Sequence, residues 1–206
     1  MRVSERTVYE WAQKGEIPAG KIGTVWRFKE SEIARWVDER LSAERPSGGL
    51  GPADVRAMLS TQRILFLNEP RKSEALAELA KNLATAPQIK NAQELASEIA
   101  RREDLMSTAI GKGVAIPHAR LQSVTDIVAS VGISGVGVEG FGALDDEPVR
   151  IILMIAAPYG QHAGYLQALA FFSARLRDRD LRERLLSSGS AQEARDILLP
   201  PEPSGP

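Results

Sequence analysis

The residues from Ser107 to Arg120 concentrate the side chains that could do chemistry. They include two hydroxyls, at Ser107 and Thr108, a Gly111-Lys112-Gly113 triplet, and an imidazole, His118, directly after a proline. Glycines let the backbone approach a ligand closely or adopt a positive φ, and the lysine between them supplies a mobile positive charge. This pattern predicts an anion site beside a nucleophile.

A short apolar run leads up to the imidazole. Val114-Ala115-Ile116 is predicted to be a brief buried strand. Because Pro117 fixes φ and cannot donate to a strand ladder, the strand should stop there. We therefore expect His118 at the end of a strand, at the edge of a sheet. The alternative interpretation is that His118 is an ordinary surface or core histidine whose hydrogen bonds are satisfied.

The run S-T-A-I-G-K-G-V-A-I-P-H resembles the active-site signature of enzyme IIA of the bacterial sugar phosphotransferase system. More narrowly, it is similar to the fructose/mannitol class, which includes the nitrogen-regulatory branch. The resemblance covers residues 53–199, the size of one domain. It implies that His118 accepts a phosphoryl group from the phosphocarrier HPr. It also implies a role for Arg102, in an R-E-x-L motif, although Arg101 or Arg102 could instead be a solvated cation at a helix end.

Phosphoryl transfer needs alignment, positive charge and hydrogen-bond donors, because the transferring group spreads negative charge over its oxygens. A neutral imidazole is a competent nucleophile near pH 7, since an ordinary histidine pKa is about 6.5. The groups expected to assist His118 are a guanidinium, two hydroxyls and two backbone N–H groups, from Arg102, Ser107, Thr108, Gly111 and Gly113. Ser107 and Thr108 are equally interpretable as turn or cap residues. No cofactor and no metal site are predicted.

The enzyme IIA pattern includes a second histidine, and this sequence has a different residue at that position. Enzyme IIA proteins of this class usually carry a His-Leu pair shortly after the Ala-Pro motif that closes the long strand. Tyr165-Leu166 occupies that place here, and His162 lies one helical turn earlier. His162 and Tyr165 are therefore both candidate helpers, the latter through its hydroxyl. We still expect phosphorylation of His118, whereas onward transfer to a sugar-bound partner is the step that this difference affects.

The sequence around these residues contains both helical and strand patterns. This mixture predicts a layered α/β domain, in which helices flank a mixed β-sheet. Strands are expected over 64–67, 127–133 and 149–156, the last of them central because it is almost continuously apolar. The predicted helix caps are Ser73, Asn91, Asp180 and Ser190. The helix that Asn91 caps should carry Arg102 at its end, and a further helix is expected over 163–177.

The first 42 residues resemble an excisionase-like winged helix-turn-helix domain, through V-S-x-x-T-V-x-x-W, then G-x-I-P, then a W-R-F hairpin over 21–28. The resemblance implies a recognition helix from Ser4 to Lys14 in a major groove and a wing near phosphates. The candidate DNA-binding residues are Arg6, Thr7, Lys14 and Arg27. In the family a further strand or helix precedes this segment. We therefore expect either residues upstream of Met1 or another use of the segment, such as dimerisation.

Charge supports this interpretation locally but not globally. Residues 2–29 carry six cationic and three acidic side chains, a local charge of +3 that favours DNA without demanding it. A solvated charged surface is the alternative. The whole chain has a net charge of −1, which excludes a global field that attracts nucleic acid or membrane.

The amino-acid composition indicates the domain boundaries and excludes some classes of protein. Residues 43–52 are expected to be a linker, because glycine and proline oppose a continued helix. The predicted order is a helix-turn-helix remnant (1–42), the linker, an enzyme IIA-like domain (53–199) and a disordered tail (200–206). The absence of cysteine excludes disulfides and thiolate metal sites. No membrane span is expected, and we expect a cytoplasmic protein.

Two function classes fit the sequence. In the first, the chain is a phosphocarrier with a regulatory, nitrogen-type role coupled to DNA binding. In the alternative, it is a sensor or transcriptional regulator whose enzyme IIA-like domain only binds partners. A carrier fused to a DNA reader would place a charge switch beside a transcriptional output, which favours regulation. The expected partners are HPr, DNA and regulatory proteins, and a homo-oligomer stays open.

Overall fold

The structure is a computed structural model that describes residues 5–14, 17–23, 25–29, 32–33, 50–143, 145 and 147–199. The chain divides into two units, residues 1–47 and residues 48–206. Ser4, most of the predicted linker and the tail 200–206 lie outside the described residues.

The first unit contains a helix followed by an antiparallel hairpin. Its elements are α1 (Glu5–Lys14), β1 (Gly20–Ile22) and β2 (Val25–Arg27). Gly23 lies between the two strands with a φ of 64°, which glycine adopts without steric cost. Ala12 on the helix and Ile17 after it are buried. The hairpin predicted from the sequence is thus confirmed.

The second unit is a mixed sheet flanked by helices, as predicted, with six strands among the described residues. Its helices are α2 (Pro52–Met58), α3 (Lys72–Leu83), α4 (Ala92–Leu105), α5 (His162–Arg177), α6 (Arg179–Leu186) and α7 (Ala191–Leu198). Its strands are β3 (Ile64–Leu67), β4 (Ala109–Gly111), β5 (Val114–Ala115), β6 (His118–Leu121), β7 (Val128–Val138) and β8 (Val149–Pro158).

Strand β8 is central, as its apolar run predicts. The strand order is β3-β7-β8-β5-β4, and β6 also pairs with β8, further along the edge that β5 occupies. β8 runs antiparallel to β7 and parallel to both β5 and β6. Val114 lies opposite Ile151 and His118 lies opposite Ile155, so the two short strands follow one another along the same side of β8.

The position of His118 corrects the strand expected before it. β5 ends at Ala115, and His118 opens β6 instead of closing the preceding strand. Pro117 interrupts the pairing because it has no N–H to donate. Its carbonyl oxygen nevertheless accepts from Ile155 N at 3.0 Å, which keeps the chain alongside β8 until regular pairing resumes.

Apolar side chains cover both faces of the sheet. One buried cluster joins the sheet to α2, α5, α6 and α7 and includes Ile155 and Phe172. The other joins it to α3 and α4 and includes Met154, Leu79 and Leu95. Neighbouring β8 residues enter different clusters because successive strand side chains point to opposite faces. No helix in the described ranges is both long and apolar enough to cross a bilayer.

Capping by Asn91 sets the start of the helix that carries Arg102. The Asn91 Oδ1 atom accepts from Glu94 N at 3.1 Å, and α4 then brings Arg102 to its last turn, as predicted. The Ser190 cap is also confirmed, since its Oγ accepts from Glu193 N at 3.2 Å.

Two predicted caps are wrong. Ser73 lies inside α3, whose N-cap is Arg71. Asp178, not Asp180, caps α6, and its Oδ1 accepts from Leu181 N at 3.2 Å. Asp178 is also the residue at which α5 ends, so its non-helical backbone leaves the side chain free to cap the next helix.

Candidate active site around His118

The orientation of the His118 ring is set by one backbone carbonyl. Its Nδ1 lies 2.7 Å from the carbonyl oxygen of Ile116, two residues earlier in the chain. A carbonyl oxygen only accepts hydrogen bonds, so Nδ1 carries the proton of the neutral ring. The other ring nitrogen, Nε2, then keeps its lone pair and is available for bond formation.

Burial lowers the pKa of His118 below its ordinary value of 6.5. The hydrogen bond to Ile116 and the charge of Glu103 act in the raising direction, while the positive charge of Arg102 lowers the pKa further. A lowered pKa keeps the imidazole neutral near pH 7. This is the protonation state in which the ring can act as a nucleophile.

Arg102 contributes a positive charge from the last turn of α4. Its Nη1 donates to Met106 O at 3.2 Å, and no carboxylate of the described residues forms an ion pair with it. The neighbouring Arg101 is exposed and is held by both carboxylate oxygens of Glu98, at 2.8 and 2.6 Å. The two arginines therefore differ in surroundings, and Arg102 is the one whose charge acts on His118.

Glu103 is a buried carboxylate beside this cation, only 3% exposed. Its Oε2 accepts from both Thr108 N, at 3.0 Å, and Thr108 Oγ1, at 2.6 Å, while Lys72 Nζ lies 3.8 Å from its Oε1. The Thr108 carbonyl in turn accepts from Ile116 N at 3.0 Å. Glu103 thus anchors the segment that supports His118. The sequence places Glu103 in the R-E-x-L motif, but no local pattern there indicates this anchoring role.

The structure corrects the role expected of Ser107 and Thr108. The Ser107 hydroxyl donates to Phe141 O, and the Thr108 hydroxyl donates to Glu103. Because each hydroxyl has a single proton, neither is free to donate to a group on His118 in this arrangement. Both residues instead hold the backbone in place, in line with the alternative interpretation.

Gly111 and Gly113 also lie away from His118. They belong to the turn between β4 and β5, with φ values of 80° and 69°. Gly111 pairs with Val114, whose partner Ile151 is four β8 residues from the partner of His118, a separation of roughly 13 Å along the strand. The Lys112 N–H between the glycines is taken by the Asp145 carboxylate at 2.5 Å. The glycines shape a hairpin turn, and the predicted cradle around His118 is absent.

Tyr165 is the aromatic wall of the site. Its ring centroid lies 5.9 Å from that of His118, with the ring planes inclined by 57°. Burial raises the pKa of Tyr165, against the lowering effect of Arg120 and Arg102, so its hydroxyl keeps its proton at neutral pH. A protonated tyrosine hydroxyl can donate a hydrogen bond.

The second candidate helper, His162, contacts Arg120. His162 is the first residue of α5, and its Nδ1 meets the Arg120 Nη1 atom. Arg120 also lies over the rings of Tyr159 and Tyr165. Arg120 is not among the residues predicted from the sequence, although its position two residues after His118 on one strand indicates that both side chains point to the same face.

The remaining predicted residues belong to the first unit. Lys14 and Arg27 are exposed, whereas the side chains of Arg6 and Thr7 lie outside what the structure describes. In the described part of the chain, no group of three or more histidine, aspartate or glutamate side chains is arranged to hold a metal ion.

Two family models match the chain. That of the phosphoenolpyruvate-dependent sugar phosphotransferase system, EIIA 2, matches residues 57–200. That of a helix-turn-helix domain matches residues 1–41.

Relatives match the same region. The chain is 35% identical over 131 residues to a nitrogen regulatory protein of Bradyrhizobium diazoefficiens, which covers 63% of this chain and 84% of the relative. It is 33% identical over 142 residues to the fructose-specific EIIABC component of Bacillus subtilis, which covers 68% of this chain but only 22% of that longer protein. The crystal structure of the nitrogen regulatory protein IIA-Ntr from Neisseria meningitidis superposes with a TM-score of 0.65 at 27% identity, over 70% of this chain and 98% of the other.

The protonation of His118 gives a first test. We expect an NMR titration of the ring carbon-bound protons to give His118 a pKa below 6.5, because partial burial and the positive charge of Arg102 both lower it. Arg102→Gln should raise that pKa, whereas Arg101→Gln should leave it unchanged. His162→Gln assigns the signals, since the chain has two histidines.

The lowered pKa of His118 also makes the stability of the fold depend on pH. An unfolded chain takes up this proton at the ordinary pKa and the folded chain only at a lower pH, so the free energy of unfolding falls as pH falls between the two values. A His118 pKa at or above its ordinary value, or no response to Arg102→Gln, would contradict the described surroundings of the ring.

Proposed function

The chain belongs to the EIIA 2 family of the phosphoenolpyruvate-dependent sugar phosphotransferase system, and we propose that His118 accepts a phosphoryl group from the phosphocarrier HPr. The family resemblance inferred from the sequence is confirmed. The observation that carries the proposal is the Ile116 carbonyl, which holds the Nδ1 proton and leaves Nε2 free. The lowered pKa of His118 supports it further, because the attacking ring is neutral.

The proposed step transfers the phosphoryl group without a proton. The Nε2 lone pair of His118 forms the new N–P bond as the bond between phosphorus and its atom on HPr breaks, and that electron pair stays on HPr. The His118 ring keeps its Nδ1 proton and becomes positively charged. The Ile116 carbonyl and the Glu103 carboxylate both favour this charge. Stabilisation of the transferred group is assigned to Arg102 and to the Tyr165 hydroxyl.

The presence of Tyr165 at the position of the second histidine bears on what the phosphorylated state does. A tyrosine hydroxyl with a raised pKa can donate a hydrogen bond, but it does not exchange a proton near pH 7 as an imidazole does. We therefore infer that phosphorylated His118 serves as a regulatory signal rather than as an intermediate in sugar uptake. Similarity to a nitrogen regulatory protein supports the same inference.

The first unit, residues 1–47, is proposed to bind DNA. Its match to a helix-turn-helix domain supports DNA binding through the predicted residues Arg6, Thr7, Lys14 and Arg27, of which Lys14 and Arg27 are exposed cations. The proposal is a phosphocarrier whose charge state controls a DNA-binding segment. The alternative is a sensor whose enzyme IIA domain binds partners without accepting phosphate, and it differs in having no covalent step at His118.

Phosphate labelling tests the carrier function. Incubation of the full chain with phosphoenolpyruvate, enzyme I and HPr should place one acid-labile phosphate on His118, because this ring has the free Nε2 atom. His118→Ala should abolish the label, whereas His162→Gln, which replaces the other histidine, should retain it. Equal labelling of His118→Ala would remove the assignment, and an unlabelled but folded wild-type chain would favour the sensor alternative.

Selection from a random-sequence duplex pool tests the DNA-binding output. We expect the full chain to enrich specific duplexes and to release them as salt increases, because cationic side chains displace counterions from phosphates. Lys14→Glu with Arg27→Glu should abolish retention. Lys81→Glu with Lys90→Glu makes the same charge change on exposed lysines of the second unit and should have little effect. Absence of enrichment at low salt would remove the DNA-binding output and leave the carrier function intact.

A further inference from the structure

Arg120 is placed to meet any group bound to the His118 ring. The two residues are first and third in β6, so their side chains point to the same face of the sheet, and both are half-buried. Ala119 and Leu121 point to the opposite face and are fully buried. The strand therefore presents one imidazole and one guanidinium side by side.

The Arg120 side chain is held in place from several directions. The guanidinium carbon lies 5.5 Å from the ring centroid of Tyr159 and 5.9 Å from that of Tyr165. Its Nη2 donates to Tyr159 O at 3.3 Å, and its Nη1 contacts His162 Nδ1. Because the ring of Tyr165 is also 5.9 Å from the ring of His118, one tyrosine forms a shared wall for the cation and the imidazole.

The charge of Arg120 is not neutralised. Among the described residues no carboxylate forms an ion pair with it, and its Nε is buried without a hydrogen-bond partner. Arg102 is a second guanidinium without a described carboxylate partner, and the charges of both arginines act on Tyr165. Two uncompensated guanidinium groups beside one half-buried nucleophile form an environment for a doubly charged anion.

His162 can accept a hydrogen bond from Arg120 only when the His162 ring is neutral. A guanidinium has donors and no acceptor, so the contact requires a lone pair on His162 Nδ1 and hence a neutral ring with its proton on Nε2. A protonated His162 would oppose the contact with a second positive charge. The imidazole therefore acts on Arg120 and makes no described contact with His118.

We propose that Arg120 is a phosphate-binding residue of the His118 site and that His162 is its positioning residue. The source of the phosphoryl group, HPr, rests on the proposed function. The binding of a phosphate anion by Arg120 does not depend on that function. Arg102 and Arg120 would hold the phosphoryl oxygens from two sides, with Arg102 supplied by the end of α4 and Arg120 by β6.

Titration of the full chain with inorganic phosphate tests this proposal without HPr. The Arg120 Nε–H and His118 ring signals in NMR spectra report the binding. Arg120→Gln should weaken phosphate binding about tenfold or more, and Arg120→Lys should show an intermediate loss because it keeps the charge without the planar fork. Arg150→Gln is the matched control, since Arg150 is an exposed strand arginine that donates to a backbone carbonyl, Gly135 O, at 3.2 Å.

The positioning role of His162 has its own readout. His162→Gln keeps an acceptor for Arg120 and should retain phosphate binding and the rate of His118 phosphorylation, whereas His162→Ala should lower both. Retained affinity in Arg120→Gln, or no phosphate binding by the wild-type chain, would overturn the proposal. If phosphate binding depends on Arg120 but HPr does not phosphorylate the wild-type chain, the anion site stands and the proposed carrier function fails.

Discussion

The hydrogen bond between His118 Nδ1 and the carbonyl oxygen of Ile116 sets the orientation of the ring on which the rest of the site depends. The interaction exists because Pro117 interrupts the edge of the sheet between β5 and β6 while both strands stay in register with β8. A continuous strand would commit this backbone to regular pairing. The interruption instead brings a carbonyl group to the ring, selects one tautomer of the neutral imidazole and leaves the Nε2 lone pair free.

The charged side chains around this ring differ in how far their charges are neutralised. Glu103 is buried and is engaged by Thr108 and Lys72, so it supports the backbone and is not available to neutralise Arg102. Arg102 and Arg120 have no carboxylate partners among the described residues. Burial keeps His118 neutral in the unphosphorylated state. The site therefore combines two cationic side chains with a neutral imidazole, which matches the needs of the proposed phosphoryl transfer to His118.

Much of the fold follows from local sequence patterns, whereas the hydrogen-bond partners of the site do not. The apolar run of β8 predicts a central strand, and the Asn91 cap predicts the helix that carries Arg102. The glycines at 111 and 113 indicate a turn but not its direction, because tertiary pairing with β8 decides where the hairpin points.

The same limit applies to individual side chains. The partners of Ser107 and Arg120 lie 34 to 42 residues away along the chain, at Phe141, Tyr159 and His162, so no local pattern contains them. We propose that the Ile116 carbonyl determines which nitrogen of His118 accepts the phosphoryl group. A long-range proton–nitrogen correlation spectrum of the phosphorylated, nitrogen-15-labelled chain tests it most directly. We expect phosphorus on Nε2 of His118 with a proton on Nδ1, and phosphorus on Nδ1 or on His162 would overturn the proposal.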